Sequence, residues 1–209
     1  MEMDWKTNMA ELGGAFLVSL LVLDGLPGVD AEGAATGDLL IAGVLLAVTM
    51  AAMAGAHILP MFTWISAMTG DLQDTDAWMG NGMRLLMQVV GAALALLLMA
   101  EAGDVTAAGS DMWSVDVWGA ADNDMDGAVM MLAGGALIGA IASRCDGWMT
   151  AFAVVALAGS LGAGVGGANM MASELVGGGN IVEGLSNWVM DGVIIGLGAM
   201  LGGMIEDQL

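Results

Sequence analysis

Few residues of the kinds that perform chemistry are present in this sequence, and they stand far apart. The chain has one histidine, His57, and one cysteine, Cys145, and no Cys, His, Asp or Glu cluster has the spacing of metal ligands. No Ser-His-Asp, Cys-His or paired intramembrane carboxylate arrangement is available around His57. We therefore expect no enzyme, no catalytic residue, no metal site and no cofactor.

Two polar side chains of another kind stand inside strongly apolar segments. Glu11 lies in the first such segment and Gln88 in the third. An ionisable or amide group is costly in a lipid environment and usually faces the interior of a helix bundle or a pore. Both residues are therefore candidates for a functional or bracing role.

The composition indicates what surrounds these residues. The mean hydropathy is +0.81, 58% of the 209 residues are hydrophobic and only 12% are charged, which is far from the average of soluble domains. The sequence therefore predicts a multi-pass protein with the lipid bilayer as its main partner. The net charge of -20 leaves no basic patch for phosphates, so we expect no nucleic-acid partner.

Apolar stretches separated by acidic or glycine-rich breaks predict six transmembrane helices. They cover residues 9–26, 38–54, 83–101, 127–143, 148–166 and 186–204. Two further apolar pieces, 56–68 and 168–176, are too short to cross a bilayer and are interpreted as re-entrant half-helices. We expect one all-α membrane domain over residues 1–209.

The topology follows from the three basic residues of the chain. Lys6, Arg84 and Arg144 fall on one side of the membrane if there are six crossings. Because Lys and Arg are enriched in cytoplasmic loops, we expect a cell-membrane protein with both termini in the cytoplasm. The acidic loops 27–37 and 102–126 are then external.

The order of segments is repeated: two long segments, a short one and a long one occur twice. This is the pattern of an inverted repeat, with one half at about 9–101 and the other at about 127–204. The stretch Ala10–Leu17 resembles Met130–Leu137, and each contains a pair of adjacent glycines.

A family resemblance rests on the first short segment. Its sequence Ala54-Gly-Ala-His-Ile-Leu-Pro-Met-Phe-Thr63 resembles the S-G-A-H-L-N-P-A-V-T signature of the aquaporin and glycerol-facilitator family. The segment around Glu11 resembles the A-E-x-x-G-T-F opening of that family, and Met87–Ala92 resembles its A-Q-x-x-G-A. Residues 167–177 and 188–196 align with the second half-helix and the sixth span.

The resemblance implies roles for individual residues. The half-helices would meet at mid-membrane and line the pore with His57, Leu59, Pro60, Met61, Met171, Ala172 and Ser173. The selectivity filter would consist of Leu39, Gly159, Ala168 and Glu174. Glu11 and Gln88 would brace the half-helix backbones. Leu59 and Met171 stand where the family has asparagines, Gly159 where it often has a histidine, and Glu174 where it has an arginine, so the constriction is expected to be wide, apolar and carboxylate-bearing.

Three functions remain open at this point. The first is passive conduction of water or small neutral solutes, such as glycerol-like molecules or dissolved gases, by a homotetramer. The second is a cation leak, because the repelling arginine is replaced by Glu174. The third is a non-conducting membrane scaffold, in which Leu59 and Met171 close an apolar constriction.

Overall fold

The regular structure is helical in every part of the chain that is described. The computed structural model describes residues 4–23, 36–101, 125–161, 168–177 and 180–206, and these contain no strand. The helices are α1 (Trp5–Leu17, continued by a π-helical segment, Val18–Leu23), α2 (Thr36–Ala52), α3 (Pro60–Thr69), α4 (Thr75–Glu101), α5 (Met125–Arg144), α6 (Gly147–Leu161), α7 (Ala168–Gly177) and α8 (Ile181–Glu206).

Polar caps and a proline fix where several helices begin. The Asp4 carboxylate accepts two backbone N–H groups at the start of α1, and Asp74 does the same for α4. Pro60 occupies the first turn of α3, where its missing N–H is no loss. The cap at Asp74 explains why α4 begins at Thr75, eight residues before the predicted start at 83, because hydropathy alone does not register a polar first turn.

The packing of the helices follows a regular scheme. Helix α1 packs against α4 and α5 packs against α8, while α2 packs against α6. Helix α3 lies mainly against α8, and α7 lies mainly against α4. Each ten-residue helix therefore contacts the long helix at the end of the other half of the chain.

Glycines allow two of these helix pairs to approach at equivalent places. A Cβ atom at Gly91 in α4 would overlap the backbone carbonyl of Leu12 in α1, and a Cβ atom at Gly198 in α8 would overlap that of Leu132 in α5. Small residues of this kind replace the hydrophobic driving force that lipid does not provide. Since Leu12 and Leu132 are aligned in the repeated segments, the two contacts define corresponding positions in the two halves.

The distribution of polarity differs from that in a soluble protein. Apolar side chains form exposed stripes at helical spacing, such as Leu86, Val90 and Leu94 on α4. Several polar side chains are buried together with the apolar core: Asn8, Glu11, Ser19, Thr49, Thr63, Gln88, Thr150 and Asp191. Large exposed apolar surfaces indicate contact with a partner or with lipid.

Three helices are long and apolar enough to cross a membrane within the described part of the chain. They are the segments Thr75–Leu98, Gly127–Arg144 and Gly184–Ile205, and the shorter segments Leu40–Ala52 and Gly147–Leu157 are also apolar. Together with the exposed apolar stripes, these helices identify the chain as an all-α membrane protein.

Candidate functional site at the start of the first short helix

The turn that leads into α3 has an unusual backbone. Ile58 has a φ of 55°, the left-handed region that a β-branched residue rarely adopts. The N–H of Leu59 donates to the carbonyl of His57 at 2.7 Å, so Ile58 is the central residue of a tight three-residue turn. Such a conformation costs roughly 1–3 kcal/mol and persists only where surrounding contacts impose it.

The Glu11 carboxylate supplies those contacts. Its Oε1 accepts the N–H of His57 at 2.7 Å, and its Oε2 accepts the N–H of Ile58 at 2.7 Å. Glu11 lies on α1 and is completely buried. The carboxylate therefore holds two consecutive backbone amides from a position 46 and 47 residues away in sequence.

Two residues of α4 complete the surroundings of Glu11. The Arg84 guanidinium donates to Oε1 at 3.2 Å, and the Gln88 amide donates to Oε2 at 2.7 Å. The same Gln88 nitrogen lies 3.0 Å from the hydroxyl of Thr63 on α3, which also bonds Nδ1 of His57 at 3.1 Å. We refer to Glu11, His57, Thr63, Arg84 and Gln88 as the polar cluster.

Gly14 makes room for the strained turn. A Cβ atom at Gly14 would overlap the side chain of Ile58, whereas one at Gly13 would meet only the end of Met53 at an ordinary distance of 3.4 Å. The glycine pair in α1 thus has one member that the turn requires and one that it does not.

The orientation of the turn has a chemical consequence. Peptide bonds are trans throughout the described chain, so each carbonyl points opposite to the N–H of its own peptide unit. Because the amides of His57 and Ile58 point at Glu11, the carbonyls of Ala56 and His57 point away from it. The polar cluster thereby sets which way two hydrogen-bond acceptors face.

The start of α3 itself is apolar. Leu59 is the N-cap residue and provides no side-chain hydrogen bond, and Leu59, Pro60 and Met61 are buried. Leu59 and Met61 belong to an apolar cluster that also contains Met131 and Ile195. Leu59, which the resemblance aligns with the family's first asparagine, is thus a buried residue in an apolar setting.

The second short helix covers the predicted segment 168–176, so it begins three residues before Met171, the residue that the resemblance aligns with the family's second asparagine. Helix α7 starts at Ala168, and Met171, Ala172 and Ser173 lie within it. The alignment puts Ala172 where the family has a proline. Proline is tolerated only in the first turn of a helix, whereas alanine fits the interior, so the helix can begin before residue 172. Ala168, Met171 and Ala172 are buried against Val89 and Ala92 of α4 and Trp188 of α8.

Several predicted residues are brought together and others are not described. Glu11 and Gln88 meet, but Gln88 reaches Glu11 and Thr63 rather than a half-helix backbone group. The side chains of the predicted filter residues Leu39, Gly159 and Glu174 lie outside the described residues. Ala168, the fourth, has its side chain packed in the apolar contact with α4.

One member of the polar cluster was missed by the sequence reasoning. Arg84 was counted only as a marker of the cytoplasmic side, yet it lies ten residues into α4 and forms an ion pair with Glu11. The available signal was that both residues are ionisable, of opposite charge and in apolar segments, where such groups need partners.

The cluster has no features of a metal centre. Among the described residues, no group of three or more His, Cys, Asp or Glu side chains lies close enough to hold an ion.

No protein-family profile, curated protein or solved structure matches this chain. The aquaporin-like resemblance accordingly rests on the quoted sequence segments alone.

Proposed function

We propose that this protein is a passive membrane channel for small neutral solutes and, to a smaller extent, water, and that it crosses the bilayer six times. The observation that supports this most is the pair of ten-residue helices, α3 and α7. They occupy corresponding places in the two halves and pack on α8 and α4 respectively. Paired short helices of this kind form the solute sites of inverted-repeat transporters and channels.

The positions of exposed tryptophans support six crossings. Trp5, Trp78 and Trp148 are exposed and lie within the first four residues of α1, α4 and α6. If six long helices alternate in direction and α3 and α7 turn back, these three helices all begin on the same side. Tryptophan is enriched at the membrane–water interface, so its recurrence at these helix starts fits that arrangement.

The expected selectivity follows from the apolar start of α3. A water molecule that loses a hydrogen bond in an apolar setting is destabilised by several kcal/mol, on the order of 2–7. Leu59 offers no side-chain donor or acceptor, and Met171 offers only a weak thioether acceptor. We therefore expect molecules with carbon skeletons, or dissolved gases, to pass more readily than a single file of water.

Light scattering by proteoliposomes tests this proposal. The full chain should increase glycerol uptake above that of empty vesicles, with only a small increase in water permeability. Leu59→Trp should abolish the uptake, whereas Val48→Trp should preserve it, because Val48 is an exposed residue on the stripe of α2. Water permeability as high as that of an efficient water channel, with no uptake of glycerol-sized solutes, would refute the proposal.

A gain-of-function variant and an ion-flux assay extend the test. Leu59→Asn should raise water permeability by adding a donor at the cap of α3. Cation flux should remain low. If a substantial cation current is found and Glu174→Gln reduces it, the channel is cationic rather than selective for neutral solutes.

The proposed topology is tested by thiol labelling of intact cells. Asp30→Cys and Val115→Cys, made in a Cys145→Ser background, should react with an impermeant reagent. The native Cys145, in the connection between α5 and α6, should react only after permeabilisation. The opposite pattern would reverse the orientation, and labelling of all three would contradict six crossings. We also propose cytoplasmic termini and a cell-membrane location, from the shared side of the three basic residues, and a homotetramer, from the family resemblance. Crosslinking in native membrane tests the tetramer.

A further inference from the structure

Arg84 stands at a place where a basic residue needs an explanation. It lies within α4, its side chain is 26% exposed, and its Nη1 atom is 3.2 Å from the fully buried Glu11. Lys6, by contrast, is exposed at the first turn of α1. A charge that served only to mark the cytoplasmic side would have no need to reach a buried carboxylate.

The donors around Glu11 define the form of its carboxyl group. Oε1 accepts from His57 and Arg84, and Oε2 accepts from Ile58 and Gln88. All four neighbours donate, so none is available to accept a proton from a carboxylic acid. The geometry is that of an anion with both oxygens engaged.

An anion in an apolar bundle requires a positive partner. A buried charge that has lost its partner strongly destabilises a protein, because its desolvation is no longer offset. Among the described groups that face Glu11, the charged or titratable ones are Arg84 from α4 and His57 from the connection before α3. Gln88 and Ile58 contribute dipoles only. Arg84 is therefore the partner that neutralises the carboxylate.

We propose that Arg84 is a positioning residue: its guanidinium holds Glu11 as an anion in the orientation that fixes the strained turn at Ile58. The chain of contacts is short and directional. Arg84 binds one oxygen, Gln88 binds the other, and the remaining capacity of each oxygen faces a backbone amide. Loss of the guanidinium would release the amides of His57 and Ile58 and with them the direction of the Ala56 and His57 carbonyls.

The single histidine of the chain makes this measurable without reference to conduction. Protein labelled with ¹⁵N-histidine has one backbone amide signal, that of His57. In the detergent-solubilised full chain, we expect this signal to be shifted downfield by its bond to the carboxylate and its hydrogen exchange to be slow. Arg84→Leu should move the signal upfield and accelerate its exchange by at least about tenfold.

Three further variants separate positioning from other roles. Arg84→Lys should keep the His57 signal near the wild-type position, because it keeps the charge. Lys6→Gln removes a basic residue from the same helix end as Asp4 and should leave the signal unchanged. The exchange of partners, Glu11→Arg with Arg84→Glu, restores an ion pair but offers donors to the backbone amides, so the signal should remain perturbed.

The outcomes decide the proposal in either direction. A wild-type His57 amide in folded Arg84→Leu, or restoration of the signal by the exchanged pair, would overturn it. If Arg84→Leu does not fold, Arg84→Gln takes its place, and a wild-type amide in that variant would overturn the proposal equally. Because the measurement needs no flux, its failure is distinguishable from a failure to conduct solute.

Discussion

The described surroundings of the two short helices differ at corresponding positions. At the start of α3, a buried carboxylate, a guanidinium and an amide direct hydrogen bonds at a strained turn. The positions in the second half that correspond to Glu11 and Gln88, aligned through the Gly91 and Gly198 contacts, are Met131 and Ile195. Both are buried in an apolar cluster, and Ala168, Met171 and Ala172 of α7 form a second one with Val89 and Ala92 of α4.

The difference separates two tasks that residues in a helix bundle perform. The glycine contacts that set the spacing of α1 with α4 and of α5 with α8 are the same in both halves. Glu11 and Gln88 of the first half are replaced by Met131 and Ile195 in the second, whereas the position of Arg84 is occupied there by the buried Asp191. Helix packing is thus determined by shape, whereas a specific turn conformation requires directional bonds.

The largest effect is expected when the first half is given the side chain of the second. Glu11→Met should lower the free energy of unfolding by about 3–5 kcal/mol, because Arg84 loses its partner and two buried amides lose their acceptor. Glu11→Ala should act in the same direction. The matched change Met131→Leu should alter stability by less than about 1.5 kcal/mol. Thermal denaturation in detergent measures both; equal stability of Glu11→Met and wild type would remove the distinction between the halves.

A smaller effect, equal in both halves, is expected for the shared glycines. Gly91→Ala and Gly198→Ala should each destabilise the protein by about 1–3 kcal/mol, since a Cβ atom would overlap a backbone carbonyl of the neighbouring helix. Gly82→Ala in α4 meets nothing within 4 Å and should be neutral or slightly stabilising. If only one of the two glycines proves sensitive, the correspondence between the halves breaks down.

Gln88 should be less critical than Glu11. One of its side-chain atoms, Oε1, is buried without a hydrogen-bond partner among the described residues. Gln88→Leu would therefore remove two hydrogen bonds and also one unsatisfied acceptor, for a net loss of about 1–2 kcal/mol. The variant should still fold, and its His57 amide signal should stay downfield because the Glu11 carboxylate is still present. A loss as large as that of Glu11→Met would make the amide, and not the carboxylate, the centre of the cluster.

The smallest effect is expected at the exposed cap of α1, where water competes for the same donors. The Thr7 hydroxyl and backbone N–H lower the pKa of Asp4 below its usual value of 3.8. A carboxyl whose pKa is lower in the folded state stabilises the protein above pH 3.8, and this contribution is lost as the pH falls through the folded value. Asp4→Asn should therefore flatten the stability profile slightly below pH 4. A large change at neutral pH would show that polarity outside the bundle matters as much as polarity inside it.

The helices could largely be predicted from the sequence, because apolar runs and acidic breaks report directly on burial in lipid. Residues 127–143 lie within α5, which is Met125–Arg144, and the short segment 168–176 coincides with α7, which is Ala168–Gly177. The start of α4 differs from the prediction, because the polar cap at Asp74 places it at Thr75. Whether the long helices make six crossings stays a prediction.

The site was predictable only in part. Glu11 and Gln88 could be selected because polar groups in apolar segments need partners, but the sequence does not say which donors they meet. The left-handed Ile58 could not be foreseen, since a β-branched residue is a poor choice for that conformation. Its stability depends on Gly14 and Glu11, which are distant in sequence, and local propensity contains no information about such contacts.

The separation of Glu11 from Arg84 also matters for how the protein is made. The two residues are 73 positions apart, and a ribosome completes α1 long before α4 exists. During that interval the first helix carries an acid without its guanidinium partner, and the tight turn at Ile58 has an acceptor available before the countercharge arrives. The first half therefore cannot complete its polar contacts one helix at a time. Glu11 in α1 gains its ion pair only after α4 has been synthesised and has packed against α1.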